Sequence, residues 1–376
     1  MKNIFYLTYQ SFPAETANSL QTITNIKYLV KNDVNVKLIF PLRESLSDDN
    51  IENIQNYYKV YEDFEIIGTK HSLPFGKWRV FKKSVYIFSH FYWSQKCVKD
   101  VLKNYELPDF FFTRSDWILF FLAIRNQKVV FECHQLSKIR KIIMRYAVKK
   151  DSVKIIFLNE EMFDDSKIKE KFRFKILFQP NGFDEEIFFN FRKSKNNDDK
   201  KTIIFAGNLS RFNEDRGLDT LLKAFMSKSF RDKYNLKIIG GPDKVKDSIS
   251  TFVLNNSLNN SITITGRVSR NEAIKQMINS DIGILTNSDK NQHSFRHTSP
   301  LKYFEYLYAG LKVVALDFPS HKKLPFSKNI SFYKVGDVDS FKLAILKSSK
   351  SRIIPPEELL EYSLDRRVKN ILKFIS

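Results

Sequence analysis

Chemistry concentrates in the stretch Arg296-His-Thr-Ser-Pro-Leu-Lys-Tyr-Phe-Glu305. Ser299 suits a helix N-cap and Pro300 the first helical position, where a missing N–H costs nothing. Such a helix start points free backbone N–H groups and the positive end of the dipole at an anion. Thr298, Ser299, Pro300 and Leu301 would form that end, and Lys302 adds a cation. Glu305 lies about 1.5 turns further on, where its carboxylate can accept hydrogen bonds from neutral hydroxyls such as those of a ribose. The plainer alternative is an ordinary α/β helix with Glu305 in water. Two more sets stand at the ends of strand-like runs. Arg114 follows Pro108–Thr113, and His134 closes Val129-Val-Phe-Glu-Cys-His134. Ligands of open α/β sheets bind outside the strand carboxyl ends, so both side chains are placed for chemistry. Gly207 follows Thr202-Ile-Ile-Phe-Ala206 and allows close backbone approach to a ligand. Arg216, next to Gly217 at a helix start, can neutralise a phosphate with a forked guanidinium. Asn18 and Ser19 can cap a helix and offer N–H groups to a phosphate, the alternative being a plain cap.

These residues need strands and helices in alternation to hold them. Asn3–Thr8 reads as a strand, Leu20, Ile23, Ile26 and Leu29 as one face of a helix, and Asn35–Pro41 as a second strand. This β-loop-α-β unit opens doubly wound domains. Its loop lacks Gly-x-Gly-x-x-Gly, which argues against a nicotinamide or flavin site. Further strands are expected at 108–113, 129–134 and 153–158. A second series begins at Thr202 and continues through Leu236–Gly241, Ile262–Val268, Asp281–Leu285 and Val313–Leu316. Gly310 ends the helix that carries Glu305, and Val313–Leu316 has the continuous apolar run of a covered parallel strand. Between the two series, Asn190–Lys201 is polar and charged and reads as a linker. Ser288–Phe295 is expected as a mobile polar loop. The chain ends on an amphipathic helix over Tyr362–Ile375.

Composition bounds the rest. A chain of 376 residues accommodates two domains of ordinary size. Two cysteines, Cys97 and Cys133, exclude a disulfide framework, and no Cys/His cluster has zinc-ligand spacing. The start of the chain lacks a signal-peptide apolar region, and no apolar run reaches the ~20 residues needed to span a bilayer. A reducing cytoplasm is therefore expected. The formal charge of +20 favours polyanionic partners, or reflects a chain rich in lysine throughout. Residues 67–96 interleave Lys70, His71, Lys77, Trp78, Arg79, Lys82 and Lys83 with Phe75, Phe81, Tyr86, Phe88, Phe91, Tyr92 and Trp93. That mixture suits an anionic membrane interface, and the basic helix Lys138–Lys150 can extend it. It also suits a core-facing aromatic helix with a solvated basic face.

Taken together, these stretches resemble the retaining nucleotide-sugar glycosyltransferases of the GT-B fold, group 1 type. Ser299-Pro300-Leu301-Lys302-Tyr303-Phe304-Glu305-Tyr306 followed by Ala309-Gly310 resembles the second half of the family's Glu-x7-Glu donor motif. His297 stands where the first Glu, which touches the donor sugar, would fall. Gly207 and Arg216 match the strand-Gly-loop-Lys-Gly segment, with Arg for Lys, and Arg211 is a substitute for a second basic residue. Gly266-Arg267-Val268 resembles the segment that reads the nucleobase edge. Thr113-Arg114-Ser115 and Phe131-Glu-Cys-His134 resemble recurrent strand-end motifs, and Gln179-Pro-Asn-Gly-Phe-Asp184 a segment closing the first domain. The resemblance implies two Rossmann-like doubly wound domains facing each other across a cleft, with a C-terminal helix crossing back to the first. Expected bounds are 1–189 for an acceptor domain, 190–201 for the linker, 202–355 for a donor domain and 356–376 for the final helix.

The resemblance further implies sugar transfer with anomeric retention. Glu305 would hold the ribose, Arg216 and the N–H groups of 298–301 the diphosphate, and His134 would lie near the sugar. His134, Arg216 and Glu305 are the expected catalytic set. Asn18, Ser19 and Arg114 are expected at an acceptor or phosphate loop. No cofactor and no metal are expected to be required, and no nucleic acid partner. The acceptor would be a glycan, a lipid-linked sugar or a small molecule, and the location cytoplasmic or peripheral on the membrane's inner face. The alternatives are a basic peripheral binding protein without activity and a nucleotide-sugar epimerase.

Overall fold

The computed structural model describes residues 1–73, 82–191, 199–211 and 214–376; for residues 82, 83, 211, 214 and 215 only the backbone is described. Two compact units form, Met1–Pro180 with Leu364–Ser376, and Asn181–Ser363.

The first unit is a seven-stranded parallel sheet. Its strands are β1 (Lys2–Leu7), β2 (Val34–Leu42), β3 (Glu65–Lys70), β4 (Phe110–Thr113), β5 (Val129–Cys133), β6 (Val153–Phe157) and β7 (Ile176–Phe178). They lie in the order β3-β2-β1-β4-β5-β6-β7. The chain reverses its direction of travel across the sheet between β1 and β4, so their carboxyl ends flank the switch point where such sheets bind ligands. One apolar layer packs Phe5, Trp93, Phe111 and Phe131 with the helices on one face. The other packs Tyr6, Ile26, Phe40 and Phe112 with Leu364, Val368, Ile371 and Ile375 of the last helix. That helix, Leu364–Ile375, is thus part of the first unit's core, with its buried residues repeating at three- and four-residue steps.

The second unit has β8 (Lys201–Ala206), a short antiparallel pair β9 (Ser210–Arg211) and β10 (Glu214–Asp215), then β11 (Tyr234–Ile239), β12 (Ile262–Gly266), β13 (Ile282–Leu285), β14 (Lys312–Leu316) and β15 (Ile330–Tyr333). The six longer strands form a sheet in the order β12-β11-β8-β13-β14-β15, with every pair parallel. Its switch point lies between β8 and β13. Both sheets are therefore doubly wound, as expected from the alternating pattern. The unit boundary falls at Pro180, ahead of the 190–201 linker expected from charge, whose residues 192–198 lie outside the described ones.

Two edge strands, β3 and β15, escape the apolar-run criterion. In β3 four of six residues are only half-buried, and the run Glu65-Ile-Ile-Gly-Thr-Lys70 mixes charge with β-formers, as edge strands do. Residues 288–295 are not all loop: His293–His297 forms a π-helical turn, with Ser294 and His297 buried and Phe295 set edge-on to Phe318.

Candidate functional site

In the second unit the helix Leu301–Tyr308 places Glu305 in its fifth position. Its sequence is Leu-Lys-Tyr-Phe-Glu-Tyr-Leu-Tyr, and five consecutive residues from Tyr303 to Leu307 are buried. Tyr306 anchors it to the sheet. Its ring lies where a side chain on Gly283 of β13 would be, since a Cβ there would come within 2.5 Å of the ring. Its hydroxyl accepts the Ala206 N–H at 2.9 Å, at the end of β8. A bulky aromatic against a strand glycine sets the helix height, and the adjacent Glu305 is fixed with it. Burial pushes the Tyr306 phenol up, against the opposing hydrogen bond from Ala206.

Glu305 is only 5% exposed. Lys302, one turn back, donates to its Oε2, and Arg270 Nη2 lies 4.0 Å from its Oε1. Arg270 is held in turn by Asp184, at 3.4 Å. The carboxylate is thus fixed between two cations, each keeping about a third of its side chain open (32% for Lys302, 29% for Arg270). Arg270 was not among the residues expected from sequence. Nothing in the spacing of Arg267-Val-Ser-Arg270 points to Glu305, because the pair is made by folding.

Arg216 sits at the switch point. Its Nη2 donates to the Thr286 carbonyl at 3.0 Å and its Nη1 to the Asn208 carbonyl at 3.3 Å, just past the ends of β13 and β8. Thr286 Oγ1 donates back to the Arg216 carbonyl at 2.7 Å. Gly217, at φ 76°, starts the helix Leu218–Ala224 in the left-handed region and faces Thr286, where a Cβ would come within 2.9 Å of Oγ1. This reciprocal clasp fixes a guanidinium beside the end of the central strand, as the sequence places it. Gly207 and Gly240 meet back to back; a Cβ on Gly240 would overlap the Gly207 carbonyl at 1.8 Å. Arg267 is exposed beyond the end of β12, with its aliphatic stem over Gly241, and Val268 packs against the second unit's core. Arg211 lies in β9, and its side chain is outside those described.

The start of the Glu305 helix differs from the sequence expectation. Pro300, not Ser299, is the N-cap, and no side chain caps the helix. Ser299 is turned to another partner: its Oγ accepts the Asn181 N–H at 3.0 Å, and its carbonyl accepts Asn181 Nδ2 at 2.7 Å. A hydroxyl engaged by a distant backbone N–H is lost to capping; Tyr303 N–H closes on the Pro300 carbonyl at 3.1 Å, and the helix start leaves the N–H groups of Leu301 and Lys302 for other acceptors. Thr298 and Ser299 are buried and Pro300 and Leu301 half-buried. His297 is buried in the π-helical turn, 6.5 Å ring to ring from His293.

In the first unit Glu132, fully buried in β5, gathers three cation-forming groups. Arg114 Nε donates to its Oε2 at 2.7 Å, Arg367 Nη2 donates to its Oε1, and His134 Nε2 lies 3.0 Å from Oε1. Burial alone would raise this carboxyl, but Arg114, Arg367 and His134 outweigh it and hold it well below the usual carboxylate range. Burial, then the charge of Arg114, pushes His134 down to about 4, so its imidazole is neutral at pH 7. Arg114 also donates from Nη1 to Asn18 Oδ1 at 3.2 Å and Gln21 Oε1 at 3.4 Å. Asn18 is therefore not a helix cap. Thr16 caps the helix Ala17–Lys31 through Ser19 N–H, and Asn18 and Ser19 lie inside its first turn. Sequence spacing could not reveal Arg367 as a partner of Glu132, since 235 residues separate them.

Of the basic and aromatic stretch 67–96, Phe75, Lys77, Trp78, Arg79 and Phe81 lie outside the described residues, as do the side chains of Lys82 and Lys83. Trp93 and His71 are buried, Phe91 packs against the core, and Tyr86 and Phe88 are exposed. Among the described residues no helix is long and apolar enough to cross a membrane, and no group of three His, Cys, Asp or Glu side chains could hold a metal ion.

Two doubly wound parallel sheets with this strand order define the class, and comparison with known proteins bears it out. Residues 186–362 match the sequence model of the family "Glycosyl transferases group 1". No curated protein matches the chain by sequence. Among solved structures the chain is similar to a glycosyltransferase from Rickettsia africae (15% identity, TM-score 0.70, covering 100% of this chain and 97% of that one). It is also similar to sucrose-phosphate synthase from Thermosynechococcus elongatus (12%, 0.68, 100% and 96%). A third is Anabaena HepE in complex with UDP and glucose (13%, 0.63, 99% and 99%). The matching residues 186–362 span the Glu305 and Arg216 sites, and the chain's fold is that of the GT-B glycosyltransferases.

Proposed function

We propose that this protein transfers a sugar from a nucleoside diphosphate sugar to a hydroxyl acceptor with retention of anomeric configuration. The second unit holds the donor. Glu305 accepts hydrogen bonds from the ribose hydroxyls, and Arg216 with the open N–H groups of the Leu301–Tyr308 helix takes the diphosphate. The reading rests above all on Glu305, a buried carboxylate clamped by Lys302 and Arg270, both of which remain partly open. Departure of the nucleoside diphosphate leaves negative charge on the β-phosphate. Fixed cations and oriented N–H groups stabilise that charge most as it develops, because they need no reorganisation. The chain's own residues supply positive charge there without a metal. Arg267 and Val268 read the nucleobase edge. His134, neutral at pH 7, is the first unit's contribution to the reaction. A product in cell-surface glycan or glycolipid, made at the inner face of the membrane, fits the basic charge of +20.

A thermal-shift panel of UDP, GDP, ADP and their common sugars, with and without magnesium, tests this. A nucleotide at about 100 times its dissociation constant adds about 2.7 kcal/mol of stability. Stabilisation by one nucleotide family names the base. Silence across the panel would transfer the weight to a binding protein on the same fold.

A further inference from the structure

A pocket of about 350 Å³ opens at the carboxyl ends of β1, β2 and β4 in the first unit, at that sheet's switch point. Its volume lies in the range of small-molecule sites, about 300–1,000 Å³. Among the described residues its charged lining is Arg43, Arg114, Arg140 and Glu44. Glu44 keeps 56% of its side chain exposed, and its Oε1 lies 3.4 Å from Arg43 Nη2.

The arginines are held in place. Arg43 donates from Nε to Ser11 Oγ at 2.7 Å and lies over the Tyr9 ring at 4.7 Å. Arg140 donates from Nη1 to the Gln135 carbonyl at 2.7 Å, with Nε 3.5 Å from Asp116 Oδ2. Arg114 is locked to Glu132 and serves as a fixed charge. The floor is aromatic. Tyr9 stacks on His90 at 4.3 Å and 18°, and His90 Nε2 meets Ser115 Oγ at 2.7 Å. Tyr86 stands edge-on to Tyr9 at 5.8 Å and keeps part of its ring exposed. Burial pushes both His71 and His90 down to about 4, so both imidazoles are neutral at pH 7, and among the described lining residues the cations are the arginines. Planar forks held in fixed orientation recognise carboxylates and phosphates, and an open aromatic face suits the C–H face of a sugar ring.

We propose that this pocket selects an anionic acceptor: a hexose carrying a phosphate or carboxylate, its charge held by Arg43 and Arg140 and its ring set against Tyr86. The inference rests on the glycosyltransferase reading for the word acceptor, and on the pocket alone for the anion.

The test is calorimetric titration of the intact chain with glucose, glucose 6-phosphate, glucuronate and inorganic phosphate, with UDP titrated in parallel. Glucose 6-phosphate or glucuronate should bind about tenfold or more tightly than glucose, and the tighter of the two names the anion. Arg43→Gln and Arg140→Gln should each lose about tenfold in that affinity and leave UDP binding unchanged. Arg43→Lys and Arg140→Lys, which keep the charge, should fall between, and they carry the test if a glutamine variant fails to fold. Binding of UDP without either anionic sugar, or equal binding of glucose, overturns the inference and leaves the donor reading intact. Binding of an anionic sugar without UDP keeps the anion site and overturns its role as an acceptor site.

Discussion

Two buried glutamates, one in each unit, look alike in outline and differ in what surrounds them. Glu132 and Glu305 both sit between two cationic side chains. Around Glu132 the two arginines are nearly as buried as the carboxylate, Arg114 keeping 6% of its side-chain surface and Arg367 2%, while the neutral His134 keeps 20%. The arms of these arginines are consumed by Asn18, Gln21, Asn25 and the Pro180 carbonyl. Around Glu305 the cations are partly open, and a ligand can displace or join them. The first cluster ties the last helix to the sheet of its unit, whereas the second keeps two partly open cations. Charge pairing alone does not distinguish the two clusters; the exposure of the arginine and lysine partners does.

Breaking the closed cluster should produce the largest effect. Glu132→Gln leaves two buried guanidiniums without a counter-charge, which costs about 3–5 kcal/mol. All three tryptophans of the chain fall in the first unit's span, so urea unfolding followed by tryptophan fluorescence reports it. A loss below about 1 kcal/mol would place Glu132 among ordinary surface-type pairs. A second change needs no mutation. Burial holds His71, His90 and His134 of the first unit, and His321 of the second, down to about 4. Between their ordinary 6.5 and about 4, the unfolded chain binds protons that the fold refuses. Stability therefore falls as pH falls through that window. With three of the four histidines in the first unit, the tryptophan-monitored urea midpoint should drop clearly between pH 7 and pH 5. An unchanged midpoint would contradict neutral, desolvated imidazoles.

The same contrast explains what could be read from sequence. The alternation of apolar runs and glycine-marked strand ends carried both doubly wound sheets. Gly207, Arg216, Glu305 and Gly310 were each legible from local spacing, because a turn, a helix start and a helix end are local events. The edge strands β3 and β15 were not: the half-buried β3 needs no apolar run, and β15 is four residues long and interrupted by Ser331. The partners were not legible either. Arg270 with Glu305, Asn181 with Ser299, and Arg367 with Glu132 join residues 35, 118 and 235 positions apart. Ser299 has the residue type and the place of an N-cap, and its hydroxyl is nevertheless taken by Asn181, a competition that no local pattern records. Asn18 and Ser19 gave way to Thr16 in the same manner.

The account's central claim is that the open cluster around Glu305 holds the nucleotide of a sugar donor. Calorimetric titration of the wild type and of Glu305→Ala with the nucleotide selected by the thermal-shift panel tests it most directly. Loss of a hydrogen bond to a charged carboxylate costs about 1.5–3 kcal/mol, so the variant should bind tenfold or more weakly while its far-ultraviolet circular dichroism stays that of the wild type. Equal affinity in the two proteins would contradict the claim and return Glu305 to a structural role like that of Glu132.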